Sequence, residues 1–178
     1  MKSALASLAL LCSLALPAHA ALAVGAVAPD FTAKASLGGK EFDFSLADAL
    51  KKGPVVLYFY PAAFTKGCTI EAHDFAEATD KFAALGATVI GVSHDDVATL
   101  DKFSVQECRN KFAVAADPTG TVITEYDAKL PQHPEYANRT SYVIAPDHKV
   151  LLAYTDLDPS KHVDLTMAAV KAWRSAHP

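Results

Sequence analysis

Hydrophobic positions along the chain switch between two periods. Val55-Val56-Leu57-Tyr58-Phe59-Tyr60 is an unbroken apolar run rich in β-formers. That pattern predicts a strand buried on both faces, as in a parallel sheet. Residues 88–93 read as a second buried strand and residues 114–116 as a short third. Between the first two, Ile70, Phe75, Phe82 and Leu85 mark the buried side of a helix, with Ala72, Ala76 and Ala83 as small fillers. The helix starts just before Cys68, and Gly86 is its natural stop. Val97, Leu100, Phe103 and Phe112 predict another helix that carries Cys108. Residues 140–145 and 150–155 read as strands joined by the turn Pro146-Asp147-His148-Lys149. A last helix over residues 160–175 buries Val163, Met167, Val170 and Trp173.

Ahead of the first buried strand, Gly38-Gly39 separates two short stretches, residues 31–36 and 40–44, as in a hairpin. Residues 45–52 form a helical turn with Ser45 as N-cap, halted at Gly53-Pro54. Asp117-Pro118-Thr119-Gly120 is a turn. Strands alternating with helices, then a closing hairpin and helix, describe a three-layer α/β fold. No repeat, low-complexity tract or linker divides residues 21–178, so one domain is expected there.

Residues 1–20 read differently. Lys2 gives a positive start, residues 4–16 are uncharged and rich in Leu and Ala, and Ala18-His19-Ala20 is a small-x-small pattern. This is the order of a secretory signal peptide cleaved after Ala20. The apolar stretch falls short of the ~20 residues that span a bilayer. Cleavage removes Cys12 and leaves Cys68 and Cys108, in a compartment where disulfides persist. The two thiols could bond, or one could be chemically active; length and composition leave both open.

Composition narrows the function. The formal charge is -4, from 16 Lys and Arg against 20 Asp and Glu. No basic run supports a nucleic-acid footprint. Three Cys are too few for a disulfide-stapled scaffold or a four-Cys zinc site. His94-Asp95-Asp96 lacks a second ligand cluster at a defined spacing, so no metal is expected. Lys51-Lys52 and Asp95-Asp96 read as solvated charges. His133, His148 and His162 read as exposed loop.

The informative stretch is Tyr58-Phe59-Tyr60-Pro61-Ala62-Ala63-Phe64-Thr65-Lys66-Gly67-Cys68-Thr69-Ile70-Glu71. A buried strand ends and a loop delivers Cys68 into the first turn of a helix. Open α/β sheets place their chemistry beyond the carboxyl ends of the strands. Free N–H groups and the positive end of the helix dipole favour a thiolate, and the thiolate is the nucleophile. Thr65 can aim its hydroxyl at the same spot, and Pro61 stiffens the loop.

Pro61-x-x-x-Thr65-x-x-Cys68 resembles the active-site motif of the peroxiredoxins, and the string from Tyr58 to Glu71 is similar to their bacterioferritin-comigratory, or Q-type, branch. The resemblance extends through Ala28-Pro29-Asp30-Phe31, Val89-Ile90-Gly91-Val92-Ser93, Asp117-Pro118-Thr119-Gly120 and Arg139-Thr140-Ser141-Tyr142-Val143-Ile144, in order along nearly the whole chain after the leader. It implies a thioredoxin-like fold with an N-terminal β-hairpin extension. It also implies a cysteine-dependent peroxidase that uses no metal or organic cofactor. Matched by position, Cys68 is the peroxidatic Cys, Thr65 hydrogen-bonds peroxide and thiolate, Pro61 shields the sulfur, and Arg139 stabilises the thiolate and polarises the peroxide. One departure stands out. Many Q-type proteins carry a resolving Cys five residues after the first, where this chain has His73. His73 is then either a surface residue or one that tunes the site. Others place that Cys on the following helix, the region of Cys108. The implied partners are a peroxide and a thioredoxin-like or other thiol reductant, with no nucleic acid. The branch leans to monomers. A thioredoxin-type disulfide oxidoreductase would share the fold but would show Cys-x-x-Cys, and Thr69-Ile70-Glu71 follows Cys68 without one.

Overall fold

A computed structural model describes residues 21–178. The expected leader, residues 1–20, lies outside the described residues. The entry hairpin pairs β1 (Thr32–Leu37) with β2 (Lys40–Ser45). Gly38 and Gly39 make its turn with φ of 59° and 74°, values that only glycine adopts freely in succession. Ser45 caps α1 (Leu46–Leu50), its hydroxyl accepting from the Asp48 N–H at 3.2 Å. Then come β3 (Val55–Phe59), α2 (Lys66–Ala84), β4 (Thr88–Ser93), α3 (Val97–Gln106) and β5 (Ala113–Ala116). The chain continues through α4 (Thr121–Glu125), β6 (Lys129–Leu130), β7 (His133–Ala137), β8 (Thr140–Ile144) and β9 (Val150–Thr155) to α5 (His162–Ala176).

Seven strands form one mixed sheet in the order β2-β1-β5-β4-β3-β8-β9; β6 and β7 pair separately. The parallel strands β3, β4 and β5 occupy its middle, and β8 runs antiparallel to β3 on the other side. Side chains on β3 alternate between two faces, and both faces are covered. Val55, Leu57 and Phe59 enter a core with Phe31, Phe44, Leu46, Tyr126 and Tyr142. Val56 and Tyr58 enter a second core with Phe75, Phe82, Phe103, Met167 and Val170, from α2, α3 and α5. Two covered faces explain why the run from Val55 to Tyr60 carries no charged position.

The structure departs from the pattern in several places. The third helix stops at Gln106. The N–H groups of Glu107 and Cys108 both turn back to the Phe103 carbonyl, at 2.9 and 3.0 Å. Arg109 and Asn110 then take left-handed φ of 51° and 58°. Cys108 therefore lies in a turn beyond α3, and Phe112 leads into β5. On α2, Ile70 is 42% exposed and Ala83 is exposed. The buried stripe runs instead through Cys68, Glu71, Ala72, Phe75, Ala76, Ala78 and Phe82. On α5, Met167 and Val170 are buried, while Val163 and Trp173 are half-buried and the Trp173 ring stacks on His177. The helix α4 and the β6–β7 pair are additions. The β-branched run Thr121-Val122-Ile123-Thr124 argues against a helix on propensity. Tertiary contacts override it: the Asp117 carboxylate accepts from the N–H groups of Thr121 and Ile123 at 3.0 and 2.8 Å, and Val122 and Ile123 are buried.

Gly91 on β4 faces Tyr58 on β3. A Cβ there would stand 2.8 Å from the Tyr58 Cζ, and that ring is stacked on Phe75 at 4.4 Å. Gly91→Ala should therefore lower stability by about 1–3 kcal/mol, the cost of overpacking. Denaturant unfolding measures this, and a midpoint equal to wild type would mean that the ring can yield.

Candidate active site

The loop after β3 is pinned from several sides. The Tyr60 N–H donates to the Val92 carbonyl at 3.1 Å, and the Ala63 N–H donates to Asp95 Oδ2 at 2.8 Å. The Ser93 hydroxyl donates to the same Asp95 oxygen at 2.8 Å. Asp95 thus clamps the loop instead of being only a solvated charge, and Asp96 caps α3 through the Thr99 N–H at 2.7 Å. Phe64 sits at φ 63°, a costly conformation for a bulky residue, and its ring meets Phe103 edge-on at 5.2 Å. Pro61 is half-buried in this loop. Thr65 occupies the N-cap of α2 but its hydroxyl does not cap the helix; it donates to the Ala62 carbonyl at 3.0 Å.

Cys68 stands in the first turn of α2 and is 2% exposed. Arg139, one residue before β8, reaches it from the other side. Its Nη2 donates to Cys68 Sγ at 3.5 Å, its Nη1 donates to Glu71 Oε2, and its Nε donates to the Leu157 carbonyl at 2.9 Å. Arg139 is 4% exposed and Glu71 is fully buried. Burial opposes the Arg139 charge, but Glu71 and Cys68 beside it outweigh burial and hold its pKa above the usual value. For Glu71 the balance goes the other way. Burial pushes its carboxyl up to about 8, despite the pull of Arg139. Gly67 makes room for this contact: a Cβ there would lie 2.9 Å from Arg139 Nη2.

Two members of the cluster were not marked as site residues in the sequence. Glu71 lies three residues after Cys68, hence on the same helix face, and that spacing was the available signal. His162 was expected in an exposed loop. It is instead fully buried at the start of α5, because its imidazole turns into the structure. Its Nε2 donates to the Asp156 carbonyl at 2.9 Å, and its Nδ1 pairs with the Ser141 hydroxyl at 2.8 Å. No motif around His162 announces this.

Cys108 does not join the cluster around Arg139. It is fully buried in the second core, and both Cys68 and Cys108 are free thiols. Burial raises the Cys108 thiol well above the usual cysteine range, with Glu107 adding to the effect. His73 is half-buried, and its Nε2 lies 2.8 Å from Glu107 Oε2. Arg109 and Lys111 reach Glu77 and Asp80 at 3.1 and 2.9 Å. Three contacts thus tie α2 to the turn that carries Cys108. The two exposed pairs, Arg109–Glu77 and Lys111–Asp80, contribute only about 0–1 kcal/mol each.

Fold and site together define a protein built around one thiol, held at a helix N-terminus against a buried guanidinium. The AhpC/TSA family matches residues 24–153. A Mycobacterium tuberculosis protein named as a peroxiredoxin is 37% identical over 133 residues, covering 73% of this chain and 86% of that one. The chloroplastic peroxiredoxin Q of Gentiana triflora is 35% identical over 144 residues, covering 80% of this chain and 64% of the plant chain. The crystal structure of the peroxidoxin BcpB from Mycobacterium tuberculosis superposes with a TM-score of 0.76 at 33% identity, over 84% of this chain and 96% of that one. The chain belongs to the AhpC/TSA family. Its relatives are of the peroxiredoxin Q or bacterioferritin-comigratory type, its fold is the thioredoxin-like one, and it is a thiol-dependent peroxidase.

Gly67→Ala separates the site from the fold. Alanine is the better helix former by at most about 1 kcal/mol, and crowding the buried guanidinium offsets that gain, so thermal stability should change little. The new methyl pushes Arg139 Nη2 away from Cys68, so the reaction of the thiol with peroxide should slow by at least tenfold. Stopped-flow kinetics beside a melting curve tests both; an unchanged rate would mean that the guanidinium finds another path to the sulfur.

Proposed function

We propose that the chain reduces hydrogen peroxide and organic hydroperoxides by direct attack of the Cys68 thiolate. The observation that carries this is the Arg139 Nη2 at 3.5 Å from Cys68 Sγ, in a site closed to solvent. The thiolate sulfur attacks one peroxide oxygen, and the O–O bond breaks. The other oxygen leaves as hydroxide or alkoxide and takes a proton, giving water or an alcohol. Sulfur is oxidised by two electrons to a sulfenic acid. Negative charge spreads over sulfur and two oxygens in the transition state, and fixed donors aimed there lower the barrier. Arg139 is that donor, the Thr65 hydroxyl turns from the Ala62 carbonyl to the peroxide, and Pro61 shields the sulfur.

In this reading Cys108 then resolves the sulfenic acid. Its thiolate attacks the Cys68 sulfur, the sulfenic oxygen leaves as water after taking a proton, and an intramolecular disulfide forms. A thioredoxin-like or other thiol reductant returns both thiols. A disulfide requires Cα atoms within about 7 Å and an accessible nucleophile. The first turn of α2 and the turn after α3 therefore open locally. That the turn after α3 is tied to the later part of α2 by side-chain pairs near the surface supports such an opening. The burial and raised thiol of Cys108 favour a second reading, in which an external thiol resolves Cys68 directly. Residues 1–20 support export, to the periplasm in a Gram-negative cell, of a single domain that works as a monomer.

Cys68→Ser should abolish peroxide turnover while circular dichroism stays that of the folded protein; retained turnover would remove Cys68 from the chemistry. Mass spectrometry after one equivalent of peroxide tests the second step. A Cys68–Cys108 cross-link within monomeric protein is the expected product. A lasting Cys68 sulfenic acid beside a free Cys108 would establish the one-cysteine cycle.

A further inference from the structure

Beneath the sulfur and its arginine lies a buried pair that the peroxidase reading leaves unused. Glu71 Oε1 has no hydrogen-bond partner and no exposure to water. Leaving a buried carboxylate oxygen bare is costly. His162 Nδ1 lies 3.6 Å from this oxygen, slightly beyond hydrogen-bond reach. Because Nε2 donates to a backbone carbonyl, it carries a hydrogen, and Nδ1 is the atom free to gain or lose one.

We infer that His162 is a positioning residue for Cys68: with Glu71 it forms a buried pair holding one proton, which leaves the Arg139 charge to the sulfur. The inference rests on Cys68 being the nucleophile. Charge counting carries it. A Cys68 thiolate, the Arg139 guanidinium and a Glu71 carboxylate sum to one negative charge in a region closed to water. One proton on the Glu71–His162 pair brings the sum to zero, whether it sits on Oε1 or on Nδ1. The titration then belongs to the pair. Burial raises Glu71 and lowers His162, which puts the proton on the carboxyl, aimed toward Nδ1. Once the pair loses its proton, the carboxylate competes with the thiolate for Arg139.

Other groups bear on the pair from every side. Asp74 on α2 raises Glu71 further. Asp156 and Asp158, in the link to α5, raise His162, and Arg139 lowers it. Tyr58 on β3 feels the Glu71 charge, and the Tyr154 ring on β9 packs 4.8 Å from the imidazole. The Ser141 hydroxyl on β8 occupies Nδ1 at 2.8 Å and so restrains its approach to Glu71.

The test is the pH profile of the second-order reaction of Cys68 with hydrogen peroxide, read with thiolate absorbance in the same samples. The wild-type rate should turn down as pH rises through about 8, where Glu71 ionises. His162→Gln keeps a donor for the Asp156 carbonyl, but its amide oxygen is a far weaker proton acceptor than Nδ1. Its downturn should move to lower pH, so that at pH above both downturns the reaction is slower by about tenfold per unit moved. Adding Glu71→Gln to His162→Gln should erase the downturn and restore the rate of Glu71→Gln alone. Should His162→Gln not fold, Ser141→Ala keeps the question open to measurement. It frees Nδ1 for the carboxyl proton, so the downturn should move to higher pH. A His162→Gln profile of wild-type shape, slowed equally at every pH or not at all, would overturn the inference. So would a double variant slower than His162→Gln, or a Ser141→Ala profile that does not move. If Cys68→Ser still turns over peroxide, the nucleophile assignment fails instead, and the two failures are told apart.

Discussion

A guanidinium held out of water is the constraint on which this site depends. Arg139 is 4% exposed, and burying a single unpaired ion costs several kcal/mol. The structure meets that cost with three acceptors on two segments: Cys68 and Glu71 on α2, and the Leu157 carbonyl after β9. Each acceptor fixes part of the surrounding architecture. The thiol has to stand in the first turn of α2, the carboxyl one turn later on the same face, and the chain after β9 has to return over β8. Gly67 is the opening through which the guanidinium reaches the sulfur. Because neither Cys68 nor Glu71 can take all of the arginine's charge, the reactivity of the thiol depends on how the two share it.

The frame around this cluster is stiff where positioning matters and loose where movement is needed. β3 is hydrogen-bonded on both edges and packed on both faces, so the end of the strand that launches the active-site loop is a fixed point. Asp95 and Phe103, from β4's far end and α3, hold the loop in a backbone path that includes a left-handed Phe64. Opposite it, the turn bearing Cys108 is tied to α2 by side-chain pairs near the surface. Peroxide attack asks for geometry held within fractions of an ångström. The disulfide step proposed above asks instead for segments that open at modest cost. Cys68 takes part in both.

His73 illustrates how the two ends communicate. It stands on α2 five residues after Cys68, in the place where the family resemblance led one to look for a second cysteine. Here it pairs with Glu107, the residue before Cys108. The position is thus linked to the turn that carries the second thiol, through a side-chain hydrogen bond rather than a sulfur.

The sequence by itself determined the sheet's central strands and the helix that starts just before Cys68, and it marked that cysteine as candidate chemistry. These were legible because they are local: an unbroken apolar run between turn residues suits a strand covered on both faces, and a cysteine at a helix start has a defined electrostatic environment. Arg139 was marked only through the family resemblance, since nothing in its own stretch of chain points to Cys68. The tertiary structure alone decided three things. It ended α3 before Cys108, because backbone N–H groups returning to Phe103 and two left-handed residues stop a helix that side-chain spacing would prolong. It made a helix of Thr121-Val122-Ile123-Thr124, because Val122 and Ile123 are buried in the core there, a gain that β-branched helix propensity does not register. It also turned His162 inward toward Glu71, across 91 positions of chain, where a Lys before it and an Asp soon after suggest only solvent. Polar residues buried by partners distant in sequence leave no periodicity behind, since what satisfies them is geometry that exists only once the sheet and both helical layers have closed.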